Sequence, residues 1–243
     1  MAAELAPAAV LCRREWLARE PFTLALSAGF FGFFAHVGLL EALEQAGLRP
    51  RRVIGVSAGA LAGGVWAAGC PAAELRERLL GLRREDFWDP GLPWRGGLVQ
   101  GRRFAALLGR VLPPGVERIE DCPTPFAALA ADLLGRARPL TSGPLESAIR
   151  ASCAVPLLFA PVRHEGRLLL DGGLADGAGL GLLAPGERAL LHHLQADPPP
   201  ATPERLVLAP RDLPRAGPFA LERGLLAREA AWAQARAWLT APV

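Results

Sequence analysis

The sequence predicts an α/β fold, with one largely parallel central sheet covered by helices on both faces. Three observations predict it. Short apolar runs alternate with helical patterns along most of the 243 residues, the order that builds a parallel sheet from strand–helix units. The runs are almost continuously apolar, as strands buried on both faces are. Glycine or proline punctuates many of the junctions. The length and the lack of internal repeats favour a single domain, 1–243, with a core over about 22–208 and a helical segment over 218–240.

The elements follow in order. Residues 1–20 read as a leader or first helix. Phe22–Ser27 is an apolar run before glycine and is the first expected strand. Phe33–Gln45 reads as a helix, with Leu39, Leu40, Leu43 and Ala46 on one face and Gly47 as its stop. Arg52–Val56 is the second strand. Ser57–Ala68 is a helix rich in Ala and Gly, and Ala72–Arg84 is an amphipathic one. The stretch Asp86–Gly101, dense in Trp, Pro and Gly, reads as an irregular lid-like loop, with Trp88 and Trp94 edging an entrance. Phe104–Val111 is a short helix. Phe126–Ala131 and Arg136–Leu140 flank a turn at Asp132 and read as a hairpin. Pro144–Ser152 starts a helix with proline in its first turn. Strands are expected at Phe159–Val162, Arg167–Leu170, Ala189–Leu194 and Leu206–Leu208, and a closing helix at Leu221–Leu239.

Composition excludes several classes. The formal charge is only +3, and no basic cluster is interleaved with aromatics, which argues against nucleic acid as a partner. Every basic residue other than histidine is arginine. The four cysteines, Cys12, Cys70, Cys122 and Cys153, lack CxxC spacing, which disfavours a zinc site or a disulfide framework and makes a reducing cytoplasm the simpler home. The stretch Met1–Cys12 has no basic leader region and is not read as a signal peptide, and no uncharged run reaches membrane-spanning length.

The chemistry concentrates at Gly55-Val56-Ser57-Ala58-Gly59. A strand, this GxSxG run and a small-residue helix are the context of a nucleophile elbow. Gly55 and Gly59 permit the tight turn, and Ser57 falls at a helix N-terminus, where developing negative charge is favoured. The competing reading is a serine that merely caps the helix.

A serine nucleophile needs a base. Asp171 follows an apolar strand and precedes Gly172 and Gly173, so its carboxylate is expected at a strand end facing the site. The alternative is a histidine. The order Ser57, Asp171, His192 is that of α/β-hydrolases, although His192 and His193 fall inside an expected strand. His36 reads as structural and Asp132 as a turn residue.

In combination these segments resemble the patatin-like phospholipase family. The resemblance rests on Leu26-Ser27-Ala28-Gly29 with Phe34–Leu40, on Ile54–Gly64, on the Asp132–Gly135 turn, on Ala148–Pro156 and on Gly166–Gly173. It implies a patatin-like three-layer fold and a serine acyl hydrolase of lipid esters. In that reading Ser57 attacks the ester carbonyl, and Asp171 accepts the proton and returns it to the leaving alcohol. No metal or cofactor is implied. The partners implied are a lipid ester substrate and a peripheral membrane contact, with a cytoplasmic, membrane-associated location compatible with both. Asp171 is expected to be mostly buried, since a carboxylate is a weak base unless its site is partly dry. Oligomeric state and head group are left open.

The family's glycine-rich oxyanion loop is altered here to Ala28-Gly29-Phe30-Phe31-Gly32-Phe33, with glycine where the family usually has arginine. Backbone N–H groups of Ala28, Gly29 and Phe30 remain the expected oxyanion donors, because they do not depend on side chains. Phe30, Phe31, Phe33 and Phe34 are expected either to line an acyl channel or to pack in the core. The lost arginine keeps open a third reading, a catalytically silent lipid-binding homologue.

Overall fold

A computed structural model describes residues 11–91 and 97–243. Residues 1–10, and Pro93, Trp94 and Gly96 of the expected lid, lie outside the described residues. The chain runs α1 (Arg13–Arg19), β1 (Thr23–Leu26), α2 (Phe33–Gln45), β2 (Arg52–Val56), α3 (Ala58–Ala67) and α4 (Ala72–Leu80). It continues through β3 (Gly97–Val99), α5 (Arg102–Val111), β4 (Phe126–Asp132), β5 (Ala137–Leu140) and α6 (Leu145–Ser152). It closes with β6 (Leu157–Phe159), β7 (Val162–His164), β8 (Arg167–Asp171), β9 (Ala189–His192), β10 (Arg205–Leu208) and α7 (Glu222–Thr240).

The main sheet has the order β10-β9-β1-β2-β4-β8-β7, with β5 also paired to β4. The first five strands are parallel, and β5, β7 and β8 add antiparallel pairs. Strand alternation sorts the core into two faces. Leu24, Leu26 and Val53 join the large core beneath α2, α3 and α6. Ala25, Ile54, Ala127 and Leu191 point the other way and pack on Ala178, Leu180, Leu182 and Leu183. Among the described residues the helical cover of that second face includes a short 3-10 turn at Leu180–Leu182.

Helix α2 is buried from Phe33 to Leu43, because it lies between the sheet and α7. The two backbones approach so closely that a Cβ on Gly38 would sit 2.3 Å from the Arg228 carbonyl oxygen. A larger residue there would force the helices apart, so the seam depends on glycine. At the far end of the sheet Glu187 is buried under Arg51, Arg52 and Thr23. Those partners hold its carboxyl at about 2 against the opposing effect of burial.

Three expected elements differ. The lid is not wholly irregular, because Gly97–Val99 forms β3 and pairs in parallel with β6. The single strand expected at Phe159–Val162 is two, β6 and β7, broken at Ala160-Pro161. Proline has no N–H for the ladder, and β6 leaves the main sheet for β3. The amphipathic helix expected to reach Arg84 ends at Leu80, and Arg84–Asp86 forms a separate 3-10 turn.

Candidate active site

Ser57 stands where β2 becomes α3, with φ 53° and ψ −117°. That conformation is costly for a residue with a side chain and marks stored strain. The turn is closed by contact with its neighbours. A Cβ on Gly59 would lie 2.1 Å from the Leu26 carbonyl oxygen, and one on Gly55 would lie 2.5 Å from Ala60 Cα. Ser57 occupies the N-cap position of α3, yet its hydroxyl makes no capping hydrogen bond. The side chain is thus free for other work, against the capping reading.

The elbow is braced from the neighbouring layer. Ser57 N–H donates to Ser152 Oγ at 2.9 Å, and the Ser152 hydroxyl donates to the Leu129 carbonyl at 2.5 Å. Cys153 Sγ–H donates to the Ser57 carbonyl at 3.1 Å. Sequence reasoning assigned no role to Ser152 or Cys153. The only signal was their place in the Ala148–Pro156 stretch.

Asp171 ends β8. Register explains how it reaches the elbow: Val56 pairs with Leu129 on β4, and one step on Ala130 pairs with Asp171. A Cβ on Gly172 would lie 2.0 Å from the Leu129 carbonyl, so only glycine lets the chain turn there. Gly173 N–H donates to Asp171 Oδ1 at 2.7 Å. Asp171 is 5% exposed, and its Oδ2 has no hydrogen-bond partner among the described residues. Burial raises its pKa, opposed by the Ser57 hydroxyl and the Gly173 N–H. Among the described residues no hydrogen bond joins the Ser57 hydroxyl to this carboxylate, and Oδ2 is bare; the serine hydroxyl is a neighbour that offsets part of the effect of burial.

The loop after β1 forms the opposite wall, and a Cβ on Gly173 would lie 3.3 Å from Ala28 Cβ. Ala28 N–H donates to the Gly177 carbonyl at 2.7 Å. That engagement differs from its expected place among the oxyanion donors. The N–H groups of Gly29 and Phe30 have no partner among the described residues. Gly32 faces Leu194, whose Cδ1 would lie 2.6 Å from an added Cβ, so this position is closed to a longer side chain unless Leu194 moves.

Between the walls is an apolar cleft of about 100 Å3 that contains Ser57 and is walled by Phe31, Phe33, Leu61, Phe104 and Phe159. Phe30 is 65% exposed at its edge, Trp88 borders it, and Phe34 lies instead in the core. The four phenylalanines thus divide between the two expected roles.

The histidines lie elsewhere. His36 Nε2 is 2.9 Å from the Ser27 carbonyl and its Nδ1 is 2.8 Å from His192 Nδ1. A carbonyl only accepts, so His36 Nε2–H donates to it. In neutral His36, Nδ1 then accepts from His192 Nδ1–H, and His192 Nε2 is left bare. Burial pushes the His36 pKa down to about 4 and that of His192 well below its usual value. Neither His192 nor His193 lines the Ser57 cleft. Asp132 caps the β4–β5 turn, accepting from Leu134 and Arg136 N–H and pairing with Arg138.

Comparison with known proteins gives the family and the fold. A family model described as "Patatin-like phospholipase" matches residues 24–184. An uncharacterized NTE family protein of Mycobacterium tuberculosis is 38% identical over 178 residues, 70% of this chain and 47% of that protein. Neuropathy target esterase sws of Drosophila persimilis is 28% identical over 67% of this chain and 12% of its own length. The chain therefore spans less than half of these relatives. The crystal structure of VipD from Legionella pneumophila shares the fold, with a TM-score of 0.53 at 13% identity, over 90% of this chain and 67% of that one.

Proposed function

The chain belongs to the patatin-like phospholipase family, and from that membership we propose that it is a serine acyl hydrolase acting on lipid carboxylic esters through Ser57 and Asp171. One observation carries the reading. A serine hydroxyl that caps nothing sits at a strained strand–helix turn, near a buried carboxylate with an unsatisfied oxygen.

In the proposed reaction Ser57 Oγ attacks the ester carbonyl carbon as Asp171 takes its proton. The oxyanion is met by the N–H groups of Gly29 and Phe30, and by that of Ala58 at the head of α3. The intermediate collapses with the C–O bond to the alcohol breaking, and Asp171 returns the proton to that oxygen. Water then attacks the acyl-serine, giving its proton to Asp171, and releases the fatty acid as Ser57 is reprotonated. The raised pKa of Asp171 makes it a stronger base than an exposed carboxylate. The apolar cleft suits the acyl chain. Exposed Phe30 and Trp88 beside the cleft, and Leu157 on β6, suit peripheral contact with a lipid surface. No observation favours a histidine base.

The test is release of p-nitrophenol from a medium-chain ester, with covalent labelling by a fluorophosphonate. Wild type should turn over and label at Ser57, while Ser57→Ala and Asp171→Asn should not turn over. Full activity in either variant rejects the dyad. A folded wild type that neither labels nor turns over supports a silent lipid-binding protein.

A further inference from the structure

Beside the Ser57 cleft is a larger space, an open groove of about 860 Å3. Gly29, Phe30 and Phe31 form a wall common to both. The segment 210–218 borders both, with Pro210 and Arg215 on the groove and Pro218 on the cleft. The linings differ in kind. The cleft is almost wholly carbon, whereas the groove carries two charged side chains, Asp212 and Arg215. Neither makes an ion pair with another side chain among the described residues. Asp212 is also held at φ 53°, a conformation in which aspartate is tolerated better than most residues.

A phospholipid is unlike itself on the two sides of its ester carbonyl, with an apolar chain on one side and a charged head on the other. The two spaces differ in the same way. A purely anionic head would gain from Arg215 and be repelled by Asp212, and a purely cationic one would meet the reverse. A head with phosphate and ammonium satisfies both, with guanidinium on phosphate and carboxylate on ammonium. Phe30 is exposed on the shared wall, where an aromatic ring suits an ammonium.

We propose that this groove binds the zwitterionic, phosphoethanolamine-type head group of the lipid whose acyl chain enters the Ser57 cleft. Arg215 takes the phosphate and Asp212 the ammonium. The assignment of the lipid as substrate rests on the ester-hydrolase reading, whereas recognition of the head group does not.

The test has two arms. In the first, calorimetry measures binding of glycerophosphoethanolamine and glycerophosphoglycerol to the Ser57→Ala protein, so that turnover plays no part. The ethanolamine form should bind about fivefold more tightly, as suits exposed charges. Arg215→Gln should weaken both ligands, and Asp212→Asn should abolish the difference between them. Equal binding of the two ligands, or a preference that survives Asp212→Asn, overturns the proposal. In the second arm, detergent micelles present phosphatidylethanolamine or phosphatidylglycerol to the catalytically intact protein, with p-nitrophenyl butyrate as the headless control. The same preference should appear in kcat/KM, taken relative to butyrate, and disappear in Asp212→Asn. Soluble binding without a lipid preference assigns the groove to a free phosphodiester and overturns the lipid-head assignment. Failure to turn over butyrate rejects the hydrolase reading instead, and the binding arm still decides the groove.

Discussion

The Ser152 hydroxyl stands between the Ser57 N–H and the Leu129 carbonyl, linking α6 to both the elbow and β4. Ser152 is fully buried, away from solvent. Ser152→Ala should leave the Ser57 N–H unsatisfied, at a cost of about 1–3 kcal/mol. Thermal denaturation should show that loss. Turnover of a p-nitrophenyl ester should fall mainly in kcat, because the residue positions the proposed nucleophile without touching the ester. An unchanged melting temperature would remove Ser152 from that role.

Strain at Ser57 predicts an opposition between activity and stability. Its positive φ is easy only for glycine. Ser57→Gly should therefore be more stable than Ser57→Ala by about 1 kcal/mol in urea unfolding, with neither labelled by fluorophosphonate. Equal stability of the two variants would mean that the turn carries no such strain.

Asp171 sets the pH dependence of the proposed reaction. Burial raises its pKa above the ordinary aspartate value of 3.8. The ionised form is the base, so kcat/KM should rise with pH through an inflection above that value. The sign for stability is opposite. The folded state binds this proton more readily than the unfolded chain, so ionisation inside the fold costs stability once pH exceeds the raised pKa. Asp171→Asn should then melt higher than wild type at pH 7, and the gap should close as pH falls towards 3.8.

The His36–His192 pair gives a separate acid response. With the His36 pKa near 4 in the fold against 6.5 outside it, the unfolded chain binds protons that the native state refuses. Stability is therefore full above pH 6.5 and is lost as pH falls towards 4, and His192 acts in the same direction. Urea unfolding across this window should show the slope. Replacing His193, which lies outside the cleft, should leave ester turnover within about twofold. A large loss in a folded His193→Ala protein would reopen the histidine base.

Local signals carried much of the architecture. Phe33–Gln45 and Arg52–Val56 are bounded in the structure as their residues predict, because helix period, a stopping glycine and an apolar run are all local. The Asp132 turn was equally legible, since aspartate satisfies its own turn. Contacts between segments distant in the chain were not. Nothing near Gly97–Val99 marks Leu157–Phe159 as its partner, so the lid read as irregular. Ser152 looks like any small helical residue until the Ser57 N–H is found against it. The commitment of Ala28 N–H depends on Gly177, far along the chain, and so does not show in the glycine pattern. The two histidines of the buried pair come from α2 and β9, and only the fold makes them neighbours.

The glycine seam between α2 and α7 bears on where this unit can be cut. The family match stops at residue 184, and everything proposed to act on the ester lies before it. Helix α2 nevertheless begins one residue after the Ala28–Gly32 loop, and its outer side rests backbone to backbone on Arg228. A gene trimmed to the matched stretch would keep the nucleophile and the carboxylate but strip β9 from one edge of β1 and leave α2 without its backing. A cut placed after α7, beyond residue 240, would keep both β9 and that backing.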